Sequence, residues 1–421
     1  MIRVIFILAA VFLNPLPATA FPIDAADETG IERLEGYRQA QLGNVPGNRL
    51  FQGARLYSNQ ISLALPERSF SLPAENRQLA SRIVALLGDE ADDYSLSMLD
   101  ISDPDHPNLV HHNADVLRNP ASVGKIIVVL ALFQALEDIY PDDIQARERI
   151  LRDSMITADA FIRHDHHKVP FWLPERMRLQ KRKLAEGDTA NMWTYLDWTL
   201  SASSNAAVSM VIKHLLLLRH FGKAYPVTVA QEESYFAQSR TVLHEDILAA
   251  LQEPVARNGL DPDHLRQGGF FSREGKRRVP GSNSVGTTRE LMYYMLLMEQ
   301  GKLVDAWSSL QLKKLLYLTQ YRIRYASSPA LKDAAVYFKS GSFYKCVAEP
   351  GFVCKKYSGN KLNIMNSVAI IEAPAGAPGL RYIVAITSNV LRKNSAVAHQ
   401  TLATRLHALL QSLHPVHASQ Q

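Results

Sequence analysis

Ser122 and Lys125 stand three residues apart at the head of an apolar run, Ile126–Leu136. Residues i and i+3 share a helix face, so a helix opening there lays the lysine amine against the serine hydroxyl. A free serine hydroxyl is a weak nucleophile, and an adjacent base is one of the few ways to activate it. The run is apolar on nearly every side, which marks a helix buried all round. Burial lowers a lysine pKa toward the range of a working base. The spacing therefore predicts a nucleophile, Ser122, with Lys125 as its proton acceptor. Ser-x-x-Lys recurs at Ser342…Lys345 and Ser358…Lys361, and neither copy opens a helical run. The bland alternative at Ser122 is a helix start whose lysine covers apolar surface and reaches back to water.

Two further motifs follow in order. Ser203-Ser204-Asn205 precedes a second apolar helical run, Ala206–Leu218, and Lys339-Ser340-Gly341 closes a strand-like run, Ala334–Phe338. The ordered set Ser-x-x-Lys, Ser-x-Asn, Lys-Ser-Gly resembles that of the class A β-lactamases and penicillin-binding proteins. The resemblance covers roughly residues 75–415. It implies a serine acyl-enzyme: Ser122 attacks an amide or lactam carbonyl, Lys125 takes or relays its proton, and Ser203 passes that proton to the leaving nitrogen. By the same resemblance Lys339 and Ser340, with Gly341 beside them, bind a substrate carboxylate, and Asn205 orients the substrate amide and the Lys125 network. The N–H groups of Ser122 and Ser342 form the oxyanion hole. Such machinery needs no cofactor and no metal. The substrate class is a small molecule or peptide bearing a carboxylate, β-lactam or D-Ala-D-Ala-like.

The elements that must position these residues are legible in outline. Arg77–Leu87 is amphipathic, and Tyr94–Ile101 alternates as a half-buried strand does. Asp103-Pro104-Asp105 marks a turn into a second strand near Leu109–His111. Trp193–Leu200 reads as a helix leading to Ser203. Ser367–Ile371 and Tyr382–Thr387 read as strands, and Ser395–Leu413 as a closing helix. The expected fold is of the α/β (α+β) class: an antiparallel sheet flanked by helices, with an all-helical subdomain inserted. Its α/β part is expected over residues 75–118 and 330–421, its helical part over 119–329. Residues 21–74, dotted with Gly43, Pro46, Gly47 and Gly53, read as a loop-rich extension without an assigned role.

Residues 1–20 carry Arg3, an apolar core Val4–Leu13 and Ala18-Thr19-Ala20, the pattern of a cleaved secretory signal too short to span a bilayer. No other apolar run reaches membrane-spanning length, so no stable membrane span is expected, and the location is periplasmic or secreted. In that compartment Cys346 and Cys354, eight residues apart around a turn composition, read as a disulfide. The net charge of +5 is modest, and basic residues do not interleave with aromatic ones, so no nucleic-acid partner is expected. The basic clusters Arg176–Lys183 and Arg273–Arg278 read as solvated faces of a helix and a loop. His164-Asp165-His166-His167 has ligand types suited to zinc, but neighbours on one loop seldom converge on one ion, and a surface loop is the safer reading.

One part is missing. Class A β-lactamases place a Glu-x-x-Leu-Asn element after the second motif, and its glutamate activates the water that clears the acyl-enzyme. The matching stretch, Gly268–Gly286, holds only Glu274, in a different setting. Three functions follow: a β-lactamase-type hydrolase, a D,D-peptidase or related peptidase or esterase, and a non-catalytic binding or sensor module.

Overall fold

The computed structural model describes residues 24–46, 50–66, 68–319 and 322–414. The expected secretory signal lies outside them. Seven strands carry the argument: β1 (Tyr94–Asp100), β2 (Asn108–His112), the hairpin β3 (Val169–Leu173) and β4 (Arg178–Arg182), then β5 (Ala335–Lys345), β6 (Leu362–Ala373) and β7 (Leu380–Ser388). The main sheet runs β2-β1-β7-β6-β5, antiparallel throughout, with β5 at the edge. The helices used below are α1 (Arg33–Leu42), α2 (Arg77–Ala85), α3 (Lys125–Ile139), α4 (Met192–Leu200), α5 (Asn205–Phe221), α6 (Thr288–Glu299), α7 (Ala306–Tyr317) and α8 (Ser395–Leu413). The expected class, a sheet flanked by helices with a helical body beside it, is what the chain forms.

Two apolar cores sandwich the sheet. Ala335 and Tyr337 of β5 and Val368 and Ile370 of β6 pack toward the helical body built on α3–α7. Val336, Phe338, Ala369 and Ile371 point the other way, onto α2 and α8. Alternation along a strand therefore puts Lys339 on the face of Tyr337, toward α3. The same sandwich corrects the reading of β1 as half-buried. All seven of its residues are buried, because β1 lies inside the sheet with helices over both faces. One of its polar side chains is paired within the interior: the Ser97 hydroxyl meets Thr288 Oγ1 at 3.2 Å and His111 Nδ1 at 3.0 Å.

Residues 24–65 are less loop-rich than their glycines suggested. They hold a short helix, Asp24–Thr29, and α1, which Gly43 ends in the left-handed conformation (φ 81°) that glycine adopts without strain. Ile31, Leu34, Tyr37, Leu56, Ile61 and Leu65 join the same core as α3. The Arg33 guanidinium forms a buried ion pair with Asp197 of α4 and donates to Leu318 O at 3.1 Å. The basic clusters also differ from expectation. Arg178–Arg182 is strand β4, paired to β3, while Arg273–Arg278 is a short helix capped by Ser272. Neither has the apolar periodicity that separates helix from strand in a sequence. Cys346 and Cys354 are joined in the extension beyond β5. No helix among the described residues is long and apolar enough to cross a membrane.

Candidate active site

Ser122 sits on a 3-10 turn, Ala121–Gly124, that runs straight into α3, slightly ahead of the expected helical turn. Lys125 opens α3 and is fully buried. Ser203 lies in the turn between α4 and α5, Asn205 is the first residue of α5, and Lys339, Ser340, Gly341 and Ser342 are consecutive on β5. Ala121 (φ 49°) and Ser203 (φ 56°) both hold left-handed backbone that non-glycine residues avoid. Such conformations cost on the order of 1–3 kcal/mol and persist where surrounding contacts over-determine them.

Gly341 explains how a strand from the far end of the chain reaches the serine. A Cβ there would lie 2.6 Å from both Pro120 O and the Ser122 nitrogen. Only a residue without a side chain lets β5 press on the turn that carries Ser122.

The amines then organise the site. Lys125 Nζ donates to Ser203 O at 2.7 Å and Asn205 Oδ1 at 2.8 Å, and lies 3.0 Å from Ser122 Oγ. The first two partners only accept. They occupy both N–H bonds of a neutral amine and leave its lone pair aimed at the Ser122 hydroxyl. Burial, with Arg324 adding repulsion and Asp165 opposing, lowers the Lys125 pKa to about 7. The helix N-terminus also disfavours a cation there. Lys339 Nζ donates to Ser203 Oγ at 2.8 Å and to Ser340 O at 3.0 Å. Burial first, then the charges of Lys125 and Arg324, hold the Lys339 pKa well below its ordinary value. Ser203 Oγ thus stands between the two amines, 3.4 Å from Lys125 Nζ.

Two residues entered the site in roles that the motifs did not announce. Arg324 donates to Ser340 Oγ at 2.8 Å and Ser342 Oγ at 3.0 Å, behind β5. Its own stretch has no pattern, and only folding brings it to that strand. Asp165, from the histidine-rich loop, accepts from the Ser204 hydroxyl and the Ala206 N–H, each at 2.9 Å, and from the His167 ring at 2.6 Å. Burial opposes its charge, yet those donors hold its carboxyl well below the usual range. The loop pins the Ser203–Asn205 turn rather than lying free at the surface. Asp165, His166 and His167 do bring ligand atoms within 4.8 Å of one another. The hydrogen bonds of Asp165 to the turn account for that grouping without an ion.

A cavity of about 650 Å³ opens in front of Ser122 and Asn205, walled by Gln267, Phe270 and Phe271 on one side and Ser342 and Phe343 on the other. No Asp or Glu lines it among the described residues. The Phe271 ring covers Lys125, with its centroid 4.8 Å from Nζ. Glu274 is turned away: Arg277 and Arg278 bond its carboxylate and pull its pKa to about 2. The wall is a loop pinched where Ser282 N donates to Gly268 O at 2.7 Å, a crossing so close that a Cβ on Gly268 would meet Ser282 O at 2.2 Å.

A family model described as the beta-lactamase enzyme family matches residues 78–408. No curated protein matches the sequence. Among solved structures, a β-lactamase from Sphaerobacter thermophilus is 17% identical over 78% of this chain and 96% of its own, with a TM-score of 0.51. The TLA-3 extended-spectrum β-lactamase is 13% identical over 80% of this chain and 98% of its own, also at 0.51. At such identities the likeness is one of fold.

Proposed function

Because the chain belongs to the beta-lactamase enzyme family, we propose that it is a serine hydrolase that opens a β-lactam or related amide through an acyl-Ser122 intermediate. The observation that carries this reading is the lone pair of Lys125, left facing Ser122 Oγ at 3.0 Å by two acceptor-only partners. Ser122 Oγ bonds to the carbonyl carbon as its proton passes to Lys125. When the C–N bond breaks, Ser203 gives the leaving nitrogen a proton and is resupplied from Lys125. The N–H groups of Ser122 and Ser342 receive the oxyanion; a donor of that kind is typically worth on the order of 10²–10³ in rate. Asn205 holds the substrate amide. Lys339, Ser340 and Arg324 receive the substrate carboxylate, whose charge offsets the repulsion that Lys339 feels from Lys125 and Arg324. A disulfide and the leader-like first twenty residues support action outside the cytoplasm.

A second reading, a D,D-peptidase or related peptidase acting on D-Ala peptides, is favoured by one observation. The cavity wall offers Gln267 and Phe271 and, among the described residues, no carboxylate to activate water. Loss of a positioned base typically slows a step by about 10²–10⁴-fold, so a β-lactam acyl-enzyme should linger. Intact-protein mass after incubation with a penicillin tests both. One adduct per wild-type chain and none on Ser122→Ala is the expected outcome. An adduct that persists for many minutes favours the peptidase, whereas fast nitrocefin turnover without accumulated adduct favours the β-lactamase. No adduct and no turnover would sink both.

A further inference from the structure

Whereas the larger cavity is lined by Ser122 and Asn205, a second cavity, about 200 Å³, has Ser203 in its wall. Its wall shares Ser203, Lys339 and Ser340 with the catalytic network and adds Lys168 and Lys181. Three lysines line the space, and among the described residues no Asp or Glu does. Lys168 is exposed just before β3, and Lys181 lies on β4. Burial, then the charge of Arg33, lower the Lys181 pKa. Leu200, Ala202 and Ile323 add apolar surface to the wall, beside Ser201 and Thr319.

The hairpin that delivers these lysines is held in place from outside the motif-bearing elements. Gly36 of α1 packs so tightly on Trp172 and Leu179 that a Cβ there would come within 2.7 Å of both. Trp198 Nε1 of α4 donates to Pro170 O at 3.2 Å. The N-terminal segment therefore buttresses β3–β4, and β3–β4 walls the cavity. The wall fixes which half of a substrate arrives there. Ser203 protonates the leaving nitrogen, so a group lodged against Ser203 belongs to the leaving half, not to the acyl half that stays on Ser122.

From this arrangement we infer that the Lys168–Lys181 cavity is a specificity subsite for a second anionic group, a carboxylate or sulfonate carried on the leaving half of the substrate in addition to the carboxylate at Lys339. The inference rests on the acyl-Ser122 reading above for the direction in which substrate lies. The volume suits a substituent of a few heavy atoms and is too small for a folded partner.

Two cephems test it, one with a carboxylate-bearing 3-substituent and one with a neutral group of the same size. Wild-type protein at low salt is expected to be acylated faster by the anionic cephem, by on the order of tenfold, as two partly screened charge pairs allow. Rising NaCl shrinks that ratio. Lys168→Ala brings it down, Lys168→Glu/Lys181→Ala brings it below one, and acylation by the neutral cephem serves as the folding control. An equal rate for both cephems in wild type, or a ratio untouched by these substitutions, overturns the inference. Calorimetric binding of the same pair to Ser122→Ala reads the preference without chemistry. A preference there with no acylation of wild type refutes the acyl-enzyme reading and sustains the subsite. Equal binding there overturns the subsite.

Discussion

At Lys125 the fold converts an ordinary side chain into a base by taking away its water and giving it two acceptors and one donor. With a pKa lowered to about 7 by burial, the amine is neutral above that pH and charged below it. Acylation needs the neutral form, so the second-order acylation constant should rise through about pH 7 and level off above. A stopped-flow pH profile with a β-lactam checks this; a rate that falls or stays flat across that range would remove Lys125 as the base. The same shift carries a cost in stability. Between about 7 and the ordinary lysine value the unfolded chain binds more protons than the folded one, so this residue makes stability decline as pH is lowered across that window. Activity at such a site is obtained against the preference of the fold.

At the scale of elements, the site is a contact between an edge strand and a helix start. β5 lies at the sheet margin, where one side of its backbone has no strand neighbour, and it presses on the Ser122 turn through Gly341. Gly341→Ala places a methyl carbon 2.6 Å from Ser122 N and Pro120 O, so strand and turn must part. Displacements near 1 Å at a reacting centre can cost about 10²-fold. Acylation should fall by about that much while Lys125 keeps its local partners, because those come from α5 and the turn before it. An acylation constant within threefold of wild type would show that the approach is not needed. The Ser342…Lys345 copy makes the contrast plain: it lies on β5, where residues three apart face opposite sides of the strand, so the pair cannot meet.

For the molecule as a whole, the N-terminal segment is part of the body that holds the site. Arg33 and Asp197 are both buried, and Asp197 belongs to the helix that ends two residues before Ala202-Ser203. Lys313 makes a second tie, donating to Ser62 O at 2.7 Å, to Glu299 at 2.9 Å and to Glu372 at 2.8 Å, while Glu372 accepts from Tyr337 of β5 at 2.9 Å. Removing one partner of a buried ion pair leaves the other charge without compensation, typically a loss of about 3–5 kcal/mol. Arg33→Met should therefore lose about that much in urea unfolding, and Arg33→Met/Asp197→Leu should recover most of it. If the double variant is no more stable than the single one, the pair is not the tie it looks to be.

How much of this could be read from the chain follows from what each signal depends on. The three motifs, the helices behind two of them and the strand behind the third are local in sequence, so Ser122, Lys125, Ser203, Asn205 and Lys339–Ser342 were nameable before any coordinates. The disulfide was legible for the same reason: short spacing around a turn. Arg324, the pinning role of Asp165 and the placement of Lys168 and Lys181 were not, because a residue held in place by long-range packing leaves no periodicity of its own. Nor was the covering of β1 on both faces, or the tying of α1 and Ser62 to the helical body through Arg33 and Lys313, since burial is decided by what arrives from elsewhere. The amino-acid sequence by itself determined which groups could do the chemistry. Only the tertiary structure decided their protonation and their surroundings, because a pKa and a cavity wall are set by neighbours in space.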